Sequence, residues 1–190
     1  MKYIKLVISL VLVSLIFSGF WSGNGADENY KERVERIKTK NETLNLLYKY
    51  APEAKGMIAR SYGYATFANF GVNVILFSAE GGKGMAHNNK TKKNTYMNMA
   101  SGGVGFGLGV KDFRAVFLFR DAKAYNNFVN YGWEANAQAD VVAKAGKQGG
   151  SINAAITVAP GVRLYKLTQN GLAFQVTIQG TKYWKDGDLN

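Results

Sequence analysis

The sequence predicts an α+β protein: an antiparallel β core, sandwich or barrel-like, with an N-terminal amphipathic helix pair and one further helix between strands. Three observations carry this. In Ser101–Val110, SGGVGFGLGV, Gly103, Gly105, Gly107 and Gly109 alternate with Val104, Phe106, Leu108 and Val110, a period of two that gives a strand one bare face and one apolar face. Leu172, Phe174, Val176 and Ile178 alternate in the same way with Ala173, Gln175, Thr177 and Gln179. Between Glu28 and Tyr50, by contrast, Tyr30, Val34, Ile37, Leu44 and Tyr48 recur at helical spacing.

The chain opens as an export signal. Lys2 and Lys5 precede the apolar run Leu6–Phe17, and the small, polar stretch Ser18–Ala26 follows. The run is short for a bilayer span. Residues 1–26 are therefore expected to be a signal peptide and 27–190 the mature domain, exported to the periplasm and peripherally membrane-associated. The 190 residues contain no cysteine, which excludes lipoprotein acylation, thiol catalysis, disulfides and cysteine metal sites.

Asp27 is placed to cap a helix over Glu28–Tyr50. At about 100° per residue its charges sort as well as its apolar residues. Arg33, Arg36 and Lys40 flank one edge of the apolar stripe, Lys31, Lys38 and Lys49 the other, and Glu28, Glu32, Glu35 and Glu42 lie opposite. Such a helix covers a sheet, or lies in a membrane interface with its cationic stems reaching headgroups. Leu44, Leu46 and Leu47 favour the first role for its second half, and the more polar first half favours the second. Pro52 ends or kinks it and starts a short helix, Pro52–Ala59.

From Ser61 the pattern turns to aromatic, β-branched and glycine residues, SYGYATFANFG and VNVILFSAEGGKGMAHN, which read as strands. Asn88–Lys93, NNKTKK, is a polar hairpin tip that gathers Lys90, Lys92 and Lys93 before the strand Asn94–Ala100 leads into the glycine ladder. Ala115–Phe119 is a buried strand. Asp121 caps a helix over Ala122–Asn130 with Ala124, Tyr125, Phe128 and Val129 on one face, and Gly132 stops it. Trp133–Lys144 is a strand with a small face, Lys144–Ser151 a loop, and Ile152–Ala159 and Val162–Thr168 strands joined by Pro160-Gly161. Asn170-Gly171 signals a two-residue hairpin into the alternating final strand.

Catalytic chemistry is not expected. His87 is the single histidine and reads as an exposed strand-end residue, while Asp112, Asp121 and Asp140 form no pair or triad. The glycines fit neither the dinucleotide fingerprint, which would need Gly at Leu108, nor a P-loop at Gly81–Gly84. No cofactor and no metal site follows. Net charge is the positive signal: +11 overall, and +9 once residues 1–26, with Lys2 and Lys5, are set aside. A surface of that sign attracts phosphates. Export favours anionic lipid over nucleic acid, which is not an expected partner.

Several segments, in order, resemble the SYLF lipid-binding family, shared by eukaryotic cortical-actin regulators and bacterial exported proteins. They are LLYKYAPEAKGMIA, SYGYA, Gly82-Lys83-Gly84, the Ser101–Gly109 ladder, AVFLFRDAKAYNNF, WEANAQADVVA and GLAFQVTIQGTKYW. The resemblance runs from about Leu44 to Trp184. Two positions depart from it: Ser78-Ala79 stands where Gly-Gly is expected, and Phe67-Ala68 where Phe-Pro is usual. The resemblance implies binding to anionic phospholipid, phosphoinositides in eukaryotic members, with help from an N-terminal amphipathic helix, here Asp27–Lys49. Actin binding is not carried over. The residues expected at headgroups are Lys31, Arg33, Arg36, Lys38, Lys40, Lys90, Lys92 and Lys93. The alternative is a structural or protein-interaction module of the envelope, whose basic face meets an acidic protein or polysaccharide.

Overall fold

The computed structural model describes residues 25–70, 78–103, 113–134, 155–172 and 181–190. Most of the expected signal peptide 1–26, as far as residue 24, the expected strand residues 71–77 and 152–154, the ladder from Val104 onward, the Trp133–Lys144 strand beyond Glu134, the loop Lys144–Ser151 and the final strand beyond Leu172 lie outside them. Two compact units divide at Val34 and Glu35.

Three helices are described: α1 (Gly25–Tyr50), α2 (Ala54–Arg60) and α3 (Ala122–Tyr131). The strands are β1 (Gly63–Phe70), β2 (Ser78–Asn88), β3 (Asn94–Gly103), β4 (Arg114–Phe119), β5 (Trp133–Glu134), β6 (Ile156–Ala159), β7 (Val162–Thr168), β8 (Gly171–Leu172) and β9 (Thr181–Lys185). They form one antiparallel sheet in the order β5-β9-β3-β2-β1-β4-β7-β6, with β8 on β7. This is the expected α+β class, as a half-barrel sheet rather than two stacked sheets.

Helix α1 begins before Asp27, which therefore sits inside its first turn and is not the cap. In the first unit the described residues are helical, and Tyr30 and Val34 are exposed. In the second unit the sheet is covered on both faces. Tyr64, Val116, Leu118, Tyr165 and Leu167 meet Leu44, Leu47, Ala51, Ala54 and Ile58 of the α1–α2 elbow. The opposite face carries Phe67, Met97, Met99, Phe117, Phe119, Leu164 and Tyr183 against Tyr125, Phe128 and Val129 of α3. Alternation sends β4 residues to both sides, so that strand is buried from Ala115 to Phe119.

Helix α3 starts and stops where its residues dictate. The Asp121 carboxylate accepts from the Ala124 amide at 3.0 Å, and Gly132 leaves the helix at φ 75°, a conformation that favours glycine. On the same sheet face, Gly84 leaves room for the Phe67 ring against β2, since a methyl there would be driven into that ring and the Thr66 carbonyl. Phe67-Ala68, where the resemblance usually has Phe-Pro, lies within β1 as the strand pattern predicts, Ala68 pairing with Lys83 and Arg114. One expectation shifts. The β7–β8 turn is centred on Gln169-Asn170, with Gly171 already paired to Thr168.

Candidate functional site: a basic turn and a buried arginine

The three hairpin lysines are brought together by a turn that the surrounding side chains fix in place. The Asn88 Oδ1 accepts from the amides of Lys90 at 2.9 Å and Thr91 at 3.0 Å, and the Lys92 amide donates to the Asn88 carbonyl at 2.8 Å. These bonds curl the chain locally, as Asn side chains do in turns. Asn89 then ties the turn to the end of α2: its Nδ2 donates to the Ile58 carbonyl at 2.7 Å and the Ser61 carbonyl at 3.0 Å. Lys90, Lys92 and Lys93 all remain exposed.

Lys92 has φ 61° and is the one non-glycine residue with positive φ among the described residues. Glycine or asparagine occupies that region at lower cost. A lysine held there keeps a third cation on the turn at the expense of backbone strain.

The helix cations divide. Lys31 is exposed and Arg33 half-buried in the first unit. In the second, Lys38 is exposed, 4.0 Å from Glu42 one turn on, and Lys40 is half-buried, with its ammonium pKa pushed down by that burial.

Arg36 is a correction to the headgroup set. It is 5% exposed and turned onto the sheet, donating to the Met97 carbonyl at 2.8 Å, the Gly84 carbonyl at 3.3 Å, Asn98 Oδ1 at 3.1 Å and Asp186 Oδ2 at 2.7 Å. A planar guanidinium suits so divided a task. The other Asp186 oxygen accepts from the amides of Asp188 at 2.9 Å and Leu189 at 3.1 Å. Burial alone would raise the Asp186 carboxyl, but the Asp188 amide and Arg36 outweigh it and hold its pKa below the ordinary value. No headgroup can reach a guanidinium so enclosed.

His87, expected exposed, is half-buried on β2. Its Nδ1 lies 2.7 Å from Asn94 Oδ1, and its ring centroid 5.3 Å from that of Tyr64. No group of His, Cys, Asp and Glu suited to a metal ion occurs among the described residues. Sequence reasoning did not assign Arg60, Arg120 or Lys123. All three are exposed, on segments that become neighbours of the basic turn only through strand pairing, and no local pattern marks them.

No family model matches the chain. It is similar to Beta cell expansion factor A of Aeromonas veronii, with 37% identity over 160 residues, 84% of this chain and 59% of that protein. The chain thus spans about three fifths of that relative's length.

Proposed function

We propose that this protein is an exported, SYLF-type peripheral binder of anionic phospholipid, with no catalytic role. Lysines on the β2–β3 turn concentrate it at phosphate headgroups, each contributing about 1 kcal/mol near the surface. Exposed Tyr30 and Val34, one helical turn apart beside Lys31, then take up interfacial apolar surface. Attraction comes from charge and retention from burial.

The observation that carries the reading is the strained Lys92 on a turn of three exposed lysines. Backbone strain is retained where it serves a site, and a solvated turn needs no third lysine in the left-handed region. The full chain is to be sedimented with neutral phosphatidylcholine vesicles and with vesicles that also carry phosphatidylglycerol, at low and high salt. Binding is expected to the anionic vesicles alone and to weaken with salt. Lys92→Gly is expected to stabilise the fold by up to about 1 kcal/mol while weakening that binding. No binding to either vesicle would overturn the proposal in favour of a protein or polysaccharide partner in the envelope.

A further inference from the structure

The sheet's pairing brings more positive charge to the basic turn than the turn itself holds. Gly63, the first residue of β1, pairs with Asn88 on one side and Phe119 on the other. Just before it, Tyr62 bridges the two neighbours: its carbonyl accepts from the Asn89 amide at 3.0 Å and its amide donates to the Phe119 carbonyl at 2.8 Å. Asn89 and Phe119 are therefore two strand spacings apart, roughly 10 Å. Lys90, Lys92 and Lys93 follow from the first; Arg120, and Lys123 in the first turn of α3, follow from the second. Arg60 closes α2 two residues ahead of Tyr62, with its guanidinium over Gly56. All six side chains are exposed. Asp121 is the acid among them, and its two oxygens go to the Ala124 amide and, at 3.4 Å, to Arg120.

We infer that this end of the sheet is one composite cationic surface, Arg60, Lys90, Lys92, Lys93, Arg120 and Lys123, which meets the phosphates of an anionic bilayer end-on. The inference rests on the lipid-binding reading above and extends it to three residues outside the hairpin, Arg60, Arg120 and Lys123. Width and exposure favour a bilayer over a single soluble phosphate. The cations follow from backbone positions on both sides of β1, about two strand spacings apart, a spread wider than one phosphate, and all are exposed. A surface carrying many phosphates engages all of them at once.

The test uses the full chain and the same anionic vesicles. Arg120→Gln/Lys123→Gln removes two cations away from the hairpin; Lys182→Gln/Lys185→Gln removes two exposed cations elsewhere, on β9, and matches the change in net charge. Melting curves check that each variant is folded. The first pair is expected to weaken vesicle partitioning roughly tenfold or more, and the second to change it far less. Equal losses in the two pairs would overturn the composite surface while leaving the hairpin reading in place, which Lys90→Gln/Lys92→Gln/Lys93→Gln tests by itself. Failure of the unaltered protein to bind would overturn both. Competition by inorganic pyrophosphate, at phosphate concentrations equal to those on the vesicles, would overturn the bilayer as occupant.

Discussion

Arg36 and Asp186, 2.7 Å apart and both buried, form the most consequential pair of side chains in the described chain. Removing one partner of a buried ion pair leaves the other charge without compensation, so Arg36→Met should destabilise by about 3–5 kcal/mol in urea unfolding. Arg36→Lys should recover only part, because one ammonium cannot serve two carbonyls, an amide oxygen and a carboxylate. The pH dependence has a definite sign. The Asp186 pKa is lowered in the fold, so its contribution is present above the ordinary carboxylate value and is lost as the pH falls through the lowered one. Asp186→Asn should flatten that acid limb of a stability-against-pH curve. Tyr183 offers the opposite case. Its hydroxyl is buried with no hydrogen-bond partner among the described residues, and burial pushes its phenol pKa up. Tyr183→Phe deletes an unsatisfied polar atom and should be neutral or stabilising by up to about 2 kcal/mol, read as the urea midpoint. At this scale sequence reading reached its limit. Helical projection placed Arg36 beside Arg33 and Lys40 at the edge of the stripe, but an angle around an axis does not reveal which edge abuts sheet carbonyls.

At the scale of the element, local rules worked where an element's ends are written in its own residues. The Asp121 cap and the Gly132 stop of α3 were legible for that reason, as were the α1–α2 elbow at Pro52 and the Pro160-Gly161 turn. Helix α1 shows where they fall short. Its leucines promised core, and Leu47 is fully buried against the sheet; Leu47→Ala should cost about 2–5 kcal/mol. The start of the helix was less readable, because Asp27 suits a first turn as well as a cap. Glycines in β2 carry a different lesson. Composition shows that small residues recur there, but only the register opposite Phe67 shows why Gly84 must be one of them. Gly84→Ala should destabilise by about 1–3 kcal/mol, the usual cost of overpacking, measured by thermal or urea unfolding. Tyr30→Ser/Val34→Ser, on exposed positions, should leave the melting point in place. It should remove the part of vesicle binding that persists at high salt, since apolar burial is not screened.

Across the whole molecule, antiparallel pairing does what no linear motif can. It carries Arg60, the hairpin lysines and Arg120 to one end of the sheet from three separate stretches of chain. The fold class was legible because strand alternation and helical period are repeated over many residues. The composite surface was not, because it depends on which strands are neighbours: β1 lies between β2 and β4, an order that hydrophobic pattern leaves open. The hairpin lysines were found because they are adjacent in sequence as well as in space.

The Arg36–Asp186 contact also has a place in time. The two residues are 150 apart in the chain, so synthesis delivers the arginine long before its carboxylate. Contacts so distant in sequence form only after a large loop has closed. Until Asp186 emerges and β9 joins β3, the guanidinium lacks that carboxylate. Closure of that ion pair therefore reports that β9, the partner of β3, has arrived, and it ties the first helix to one of the last strands.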